Sequence, residues 1–218
     1  MIDAETFWSL PRSTKPRKAF EEILPNLPAL LPDLTIDGSF SFHVCGSGGG
    51  EWSGTVTNGL WTVVAGAADD ALVRISLTRR HLREVIGGAL RERGLTVMKR
   101  LGKPRQFPDL GVLPIDPARA PDVAKIPGSI AVEIHDRDVR ESYRFVLSFG
   151  NGPAVYDNAT TTLHVDADEI VEQALAGASM AALIKGSRVR IEGDISLPLR
   201  ALQVAFGAEA VQRGRRTP

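Results

Sequence analysis

The chain has 218 residues, 43% hydrophobic and 24% charged, proportions that suit one large globular domain or two of about 100 residues. Its 26 basic and 26 acidic side chains cancel, which removes the global positive field that nucleic-acid binding draws on. Cys45 is the single cysteine, so no internal disulfide can form, and no run of 18 apolar residues offers a membrane span. With Asp3 and Glu5 in an opening that has no apolar run, a secretory signal is not expected, and the chain reads as soluble and cytoplasmic.

The first predicted element is a helix near Lys15–Leu24, with Pro16 early and "KAFEEIL" following. A β-meander comes next. Phe40, Phe42 and Val44 alternate with polar residues from Gly38, and "EWSGTVTNG" from Glu51 continues the pattern. Between them "GSGGGEW" (46–52) carries Gly46, Gly48 and Gly50. A phosphate cradle needs a helix after the loop; here a strand follows, so a hairpin loop is expected. "LVRISLT" from Leu72 reads as another strand. Thr78 stands at the N-cap of a helix to about Leu90, with Val97–Leu101 continuing it.

Five prolines fall in residues 11–32 and six in 104–127, and the second cluster predicts an extended connector. After it the pattern returns. "GSIAVEI" from Gly128 alternates Ile130, Val132 and Ile134, and "ESYRFVLSFGNG" from Glu141 follows, with Tyr143 matching Trp52 and Gly150 matching Gly59. "TTLHVDADEIVEQALAGAS" from Thr161 then matches the stretch from Leu72, with Asp166 as a second N-cap. Matched periods in matched order, about 90 residues apart, point to a duplication. The second half goes further. In "KGSRVRIEGDISLPLRAL" (185–202), Arg188, Arg190 and Glu192 alternate with Val189 and Ile191, which predicts a strand over Ser187–Ile195 with one wet face. Leu197, Leu199, Leu202, Val204 and Phe206 then recur at helical spacing, with Pro198 in the first turn. In the first half only "GLTVMKRLGK" offers a degenerate copy of that strand. Strands before helices predict an α+β fold, a mixed but mostly antiparallel sheet covered by helices. The expected organisation is an N-terminal helix and extended segment (1–37), a first repeat (38–105), the connector (106–127) and a second repeat (128–218).

The second half resembles the sterol carrier protein type-2 family. The resemblance rests on Thr161–Val165 as a strand, Asp166–Glu169 as an acidic helix start, Gly177, the Lys185–Gly186 turn, Ile191–Asp194 as "I-x-G-D", and the apolar helix Leu197–Phe206. The first half resembles the family more weakly, through "ADDALVRISLT", and lacks the last strand and helix. The resemblance implies a five-stranded mixed sheet covered by helices, an apolar tunnel between them for fatty acyl chains, sterols or other lipids, and no catalytic residues; no cofactor or metal is expected. Phe145, Leu147, Phe149, Leu163, Ile170, Leu175, Met180, Leu183, Ile184, Leu199, Leu202 and Phe206 are the lining candidates it suggests. Binding or transfer of a lipid is then the expected function, and an inert scaffold with a filled tunnel is the alternative. Phe40, Phe42, Trp52 and Trp61 read as first-half core.

Other chemistry is sparse. His43, His81, His135 and His164 share no metal-ligand spacing, and no G-x-S-x-G is present. Cys45 and His43 point the same way on one strand but lack a third orienting group. Charge is segregated. Residues 74–105 hold ten Lys or Arg against Glu84 and Glu92, while residues 128–186 hold nine acidic against four basic side chains. The basic stretch suits solvated helix faces, anionic headgroups, an acidic partner or the second half itself. Asp166, Asp168, Glu169 and Glu172 read as a solvated helix start, and the Arg213–Arg216 tail as a further basic segment.

Overall fold

Period-two alternation puts successive side chains on opposite faces of a sheet, and it sorts this chain into one apolar and one polar face. The computed structural model describes residues 2–26, 38–57, 60–102, 120–150, 153–176 and 189–213. Among them eight strands form a single sheet: β1 (Gly38–Cys45), β2 (Gly50–Thr57), β3 (Leu60–Ala65), β4 (Val73–Thr78), β5 (Ser129–Asp136), β6 (Glu141–Phe149), β7 (Thr161–Asp166) and β8 (Arg190–Gly193). Their order is β3-β2-β1-β4-β6-β5-β7-β8. β1 runs parallel to β4 and β5 parallel to β7; all other neighbours are antiparallel. The strands β2-β1-β4 thus share order and direction with β6-β5-β7. The five-stranded sheet implied by the resemblance is replaced by a continuous one, because β4 pairs with β6 and stitches the halves together.

Lateral register carries the two faces across the molecule. Val44, Leu77, Phe145, Val132, Leu163 and Ile191 form one apolar row. On the other face Arg144, Glu133, His164 and Arg190 form a polar row. Register also corrects one equivalence. Phe42 pairs with Trp52, and its counterpart Val132 pairs with Phe145, so Phe145 rather than Tyr143 occupies the place of Trp52.

The helices are α1 (Ala4–Trp8), α2 (Pro16–Lys18, continued by a π turn over Ala19–Ile23 and a 3-10 turn over Leu24–Asn26), α3 (Arg79–Gly87), α4 (Ala89–Arg100), α5 (Ala120–Val123), α6 (Ala167–Ala176) and α7 (Ser196–Arg213). Both predicted N-caps form: Thr78 Oγ1 accepts from the His81 N–H at 3.2 Å, and Asp166 Oδ1 from the Asp168 N–H at 2.9 Å. Asp194 does the same for α7, accepting from the Ser196 N–H at 2.9 Å, which leaves Pro198 in the first turn. The first helical block is two helices broken at Gly88. The buried Glu84 carboxylate occupies the space beside Gly88, accepts from the Ala89 N–H at 2.9 Å and pairs with Arg12. "GLTVMKRLGK" does not form a strand. Leu90, Gly94, Val97 and Met98 are buried at helical spacing, and the stretch through Arg100 belongs to α4. The connector is not wholly extended either: α5 sits in it, and Val123 and Ile126 are buried in the core.

Two apolar clusters pack the helices on the sheet, and a third packs helices on one another. The largest centres on Ile130, Val132, Ile134, Tyr143, Leu163 and Leu197. A second holds Phe20, Phe42, Trp52, Leu77 and Leu82, with Phe20 stacked on Trp52 at 4.9 Å and tilted against Phe42 at 4.9 Å. Glu21 accepts from the Trp52 indole N–H at 3.0 Å, which fixes the N-terminal helix to the first half. A third joins Trp8 to Val97 and Met98.

Candidate functional site

The centre of a wide sheet is where burial should be greatest, and on the apolar face Val73, Leu77 and Tyr143 of the central strands are buried, yet their neighbours are not all so. Ile130, Val132 and Leu163 are buried, while Ile75, Phe145, Leu147 and Phe149 of the central strands β4 and β6 are only partly buried. Partly buried Ile170, Val189, Ile191, Ala201 and Val204 adjoin the same cluster. Of the sequence-predicted lining residues, Phe145, Leu147 and Phe149 share one face of β6, and Ile170 of α6 packs against the same core cluster. Leu163 is 3% exposed and belongs to the solid core. Leu199 is 44% exposed on the outer side of α7, because Leu197 and Pro198 take the inward positions of that turn. Leu202 is half-buried on α7. Leu175 and Phe206 lie in α6 and α7 with side chains outside the described set, and Met180, Leu183 and Ile184 lie outside the described residues. In the first half Phe42 and Trp52 are buried, and Phe40 and Trp61 pack against them from partly buried positions.

A second feature lies at the C-terminal ends of the parallel strands β5 and β7. A cleft of about 820 Å³ is lined by Arg93, His135, Arg137, Asp166, Asp168, His164 and neighbours. His135 and His164, 29 positions apart in sequence, meet there: Nε2 of His135 lies 3.0 Å from Nδ1 of His164. Glu133 Oε2 is 3.3 Å from the same His164 nitrogen, and Glu192 Oε2 is 3.2 Å from His164 Nε2. The bond from His164 and the charge of Arg190 hold the Glu192 carboxyl below its ordinary pKa. Linear spacing hid this group. Alternation places Glu133 and His135 on one face of β5, but only the parallel β5–β7 register brings His164 beside them.

The acidic helix start is not simply solvated. Arg93 of α4 pairs with Asp136 at 2.6 Å, Asp138 at 2.7 Å and Asp168 at 3.2 Å. Arg80 pairs with Glu141 at 2.8 Å, Arg137 with Asp166 at 2.9 Å, and Arg100 with Glu172. Part of the basic stretch thus faces the acidic second half. Arg74 is buried and is spent on backbone carbonyls, those of Asp69 and Gly150 among them. Arg12, Arg79, Arg80 and Arg83 line a smaller cleft of about 500 Å³ beside Glu84.

Cys45 Sγ lies 3.8 Å from His43 Nδ1, as their spacing implies. Burial pushes the thiol pKa up, which keeps it protonated and opposes a nucleophilic role. The "GSGGGEW" glycines form the β1–β2 hairpin, with Gly46 and Gly48 at positive φ. Among the described residues no helix is long and apolar enough to cross a membrane.

No protein-family model and no curated protein matches the chain. Solved structures offer distant likenesses. Sterol carrier protein 2 like 2 from Aedes aegypti aligns at 13% identity and a TM-score of 0.30, over 53% of this chain and 99% of that one. Sterol carrier protein 2 from Yarrowia lipolytica, in its apo form, aligns at 17% identity and a TM-score of 0.28, over 42% of this chain and 81% of that one.

Proposed function

We propose that the second half binds a lipid, a fatty acyl chain or sterol-like molecule, against the apolar face of β6, with Ile75 of the neighbouring β4 at its border, without catalysis. One observation carries the reading: Ile75, Phe145, Leu147 and Phe149 stay partly buried at the middle of the sheet, where a filled core would bury them. The family resemblance of Ala159–Leu202 points the same way. Apolar contact suffices energetically. Burying a 16-carbon chain at about 0.8 kcal/mol per methylene contributes at most about 12 kcal/mol, and lost freedom takes back about 4 kcal/mol or more.

The halves are read as a tandem duplication, a proposal supported by the shared order and direction of β2-β1-β4 and β6-β5-β7. The first copy is the non-binding one, since Phe20 packs over both Phe42 and Trp52 and covers that face. The cleft of Arg12, Arg79 and Arg83 suits transient contact with anionic headgroups. The lone free thiol suits a cytoplasmic location.

Native mass spectrometry of freshly purified protein, followed by organic extraction, tests the reading. One bound mass of acyl-lipid size, lost on extraction, is expected, and Leu147→Asp should lower uptake of a fluorescent fatty acid while leaving the fold intact. A clean apo mass together with no uptake of the fluorescent fatty acid overturns it in favour of the scaffold.

A further inference from the structure

The histidine pair belongs to no part of the lipid reading: it lies on the opposite, polar face of the sheet. Three donor atoms converge there. His135 Nε2, His164 Nδ1 and a Glu133 carboxylate oxygen all lie within 4.8 Å of one another. The two separations, 3.0 Å and 3.3 Å, lie at or a few tenths of an ångström below the roughly 3.3 Å between donors that a tetrahedral ion with bonds of about 2.0–2.1 Å requires.

The atoms not aimed at this point face other groups. His135 Nδ1 is bonded to Ser142 Oγ at 2.8 Å, leaving Nε2 to face inward. The far nitrogen of His164, Nε2, faces Glu192 Oε2 at 3.2 Å, leaving Nδ1 to face inward. Glu133 Oε1 accepts from Arg144 at 2.6 Å, leaving Oε2 toward His164. Carboxylate and hydroxyl partners on the outer nitrogens are what fix ring tautomer and orientation in metal sites. Arg144 and Arg190, the nearby cations, are held by Glu133 and Glu192 respectively, so the carboxylates balance them. Two of the three donors line the 820 Å³ cleft, so a fourth position opens to solvent.

We infer that Glu133, His135 and His164 form a site for a divalent transition-metal ion, zinc by donor type and geometry, clipping β5 to β7 and keeping one coordination position toward the cleft for water or an anionic ligand. Zinc takes both facing lone pairs when each ring carries its single proton on the outer nitrogen, so the proton between the rings moves to His135 Nδ1, beside Ser142 Oγ, and both imidazoles stay neutral.

The test uses the full chain, stripped with chelator and titrated with zinc by calorimetry, with cobalt absorption as a second readout. One equivalent is expected. His135→Ala and His164→Ala should each abolish stoichiometric uptake. Glu192→Gln and Ser142→Ala, which remove only outer partners, should weaken it by about 10- to 100-fold. Cys45→Ser should leave it unchanged. Circular dichroism checks that each variant folds, and zinc should raise the urea midpoint of wild type but not of His135→Ala/His164→Ala. No zinc uptake by wild type overturns the inference, as does uptake retained by the folded double variant or lost in Cys45→Ser. Lipid content, scored separately, stays unaffected by these variants, so either reading can fail alone.

Discussion

Arg93 is the residue on which the joint between the halves should depend most. It reaches from α4 to Asp136, Asp138 and Asp168 of the second half, with its own side chain 16% exposed. The three contacts are unequal. Asp138 and Asp168 are 74% and 43% exposed, and pairs of that kind contribute about 0–1 kcal/mol each. Asp136 is 2% exposed and also accepts from the Asp138 and Val139 N–H groups of the turn, so it stays in place when the arginine leaves. Arg93→Met keeps the aliphatic stem and abandons a buried carboxylate, which costs about 3 to 5 kcal/mol. Against a total stability of about 5–15 kcal/mol this is a large fraction. Urea unfolding followed by circular dichroism should show the midpoint fall accordingly. Asp136→Asn in the same background should recover most of the loss, since the amide still accepts from the turn and carries no charge. A loss below about 1 kcal/mol in Arg93→Met, or no recovery in the double variant, would refute the idea that the buried carboxylate governs the joint.

Two further outcomes follow from buried titratable groups. The Tyr143 hydroxyl is buried with no hydrogen-bond partner among the described residues, and burial pushes its pKa up to about 12. Tyr143→Phe should therefore stabilise by about 1 kcal/mol at pH 7, measured by urea unfolding. Because the unfolded phenol ionises first, wild type should lose stability as pH rises from about 10 toward about 12, a slope the variant lacks; a destabilised variant at pH 7 would reveal a bonded hydroxyl. His81 has its pKa lowered chiefly by burial, against the Arg144 carbonyl 2.9 Å from Nδ1. The unfolded imidazole then takes up protons more readily, so stability should fall as pH drops below about 6.5. Thermal melts between pH 7 and pH 5 should show a shallower decline in His81→Gln; equal slopes would rule His81 out as the source.

Much of this architecture was legible in the residues. Alternation placed Phe40, Phe42 and Val44, and Ile130, Val132 and Ile134, on one face, and Thr78 and Asp166 stood where helices begin. The N-terminal helix was also readable, through "KAFEEIL", with Pro16 in its first turn. What composition could not convey was lateral order. Nothing local marks β4 and β6 as neighbours, so the single sheet was invisible, and with it the parallel register that unites His135 with His164. "GLTVMKRLGK" misled because a short apolar run fits a strand or a buried helix equally, and packing of Val97 and Met98 against Trp8 decided for the helix. The acidic start of α6 misled for the opposite reason: its partners, Arg93 and Arg100, come from a helix more than 60 residues away.

The β4–β6 joint has a further consequence. The strand that ends one three-strand unit pairs with the strand that begins the next, so the contact is head to tail rather than self-complementary. Contacts of that kind do not close on themselves; repeated, they generate an open ribbon. The outer faces of such a ribbon are β2 at one end and β7 at the other, and each is occupied by an extra strand with no counterpart among the described residues of the other half, β3 and β8. β8 has four residues, largely exposed and bearing Arg190 and Glu192. Short, charged borders of this kind resist further pairing. β8 therefore acts as a terminator at its end of the ribbon, while β3, uncharged and with Val64 exposed, caps the other end without such a charge.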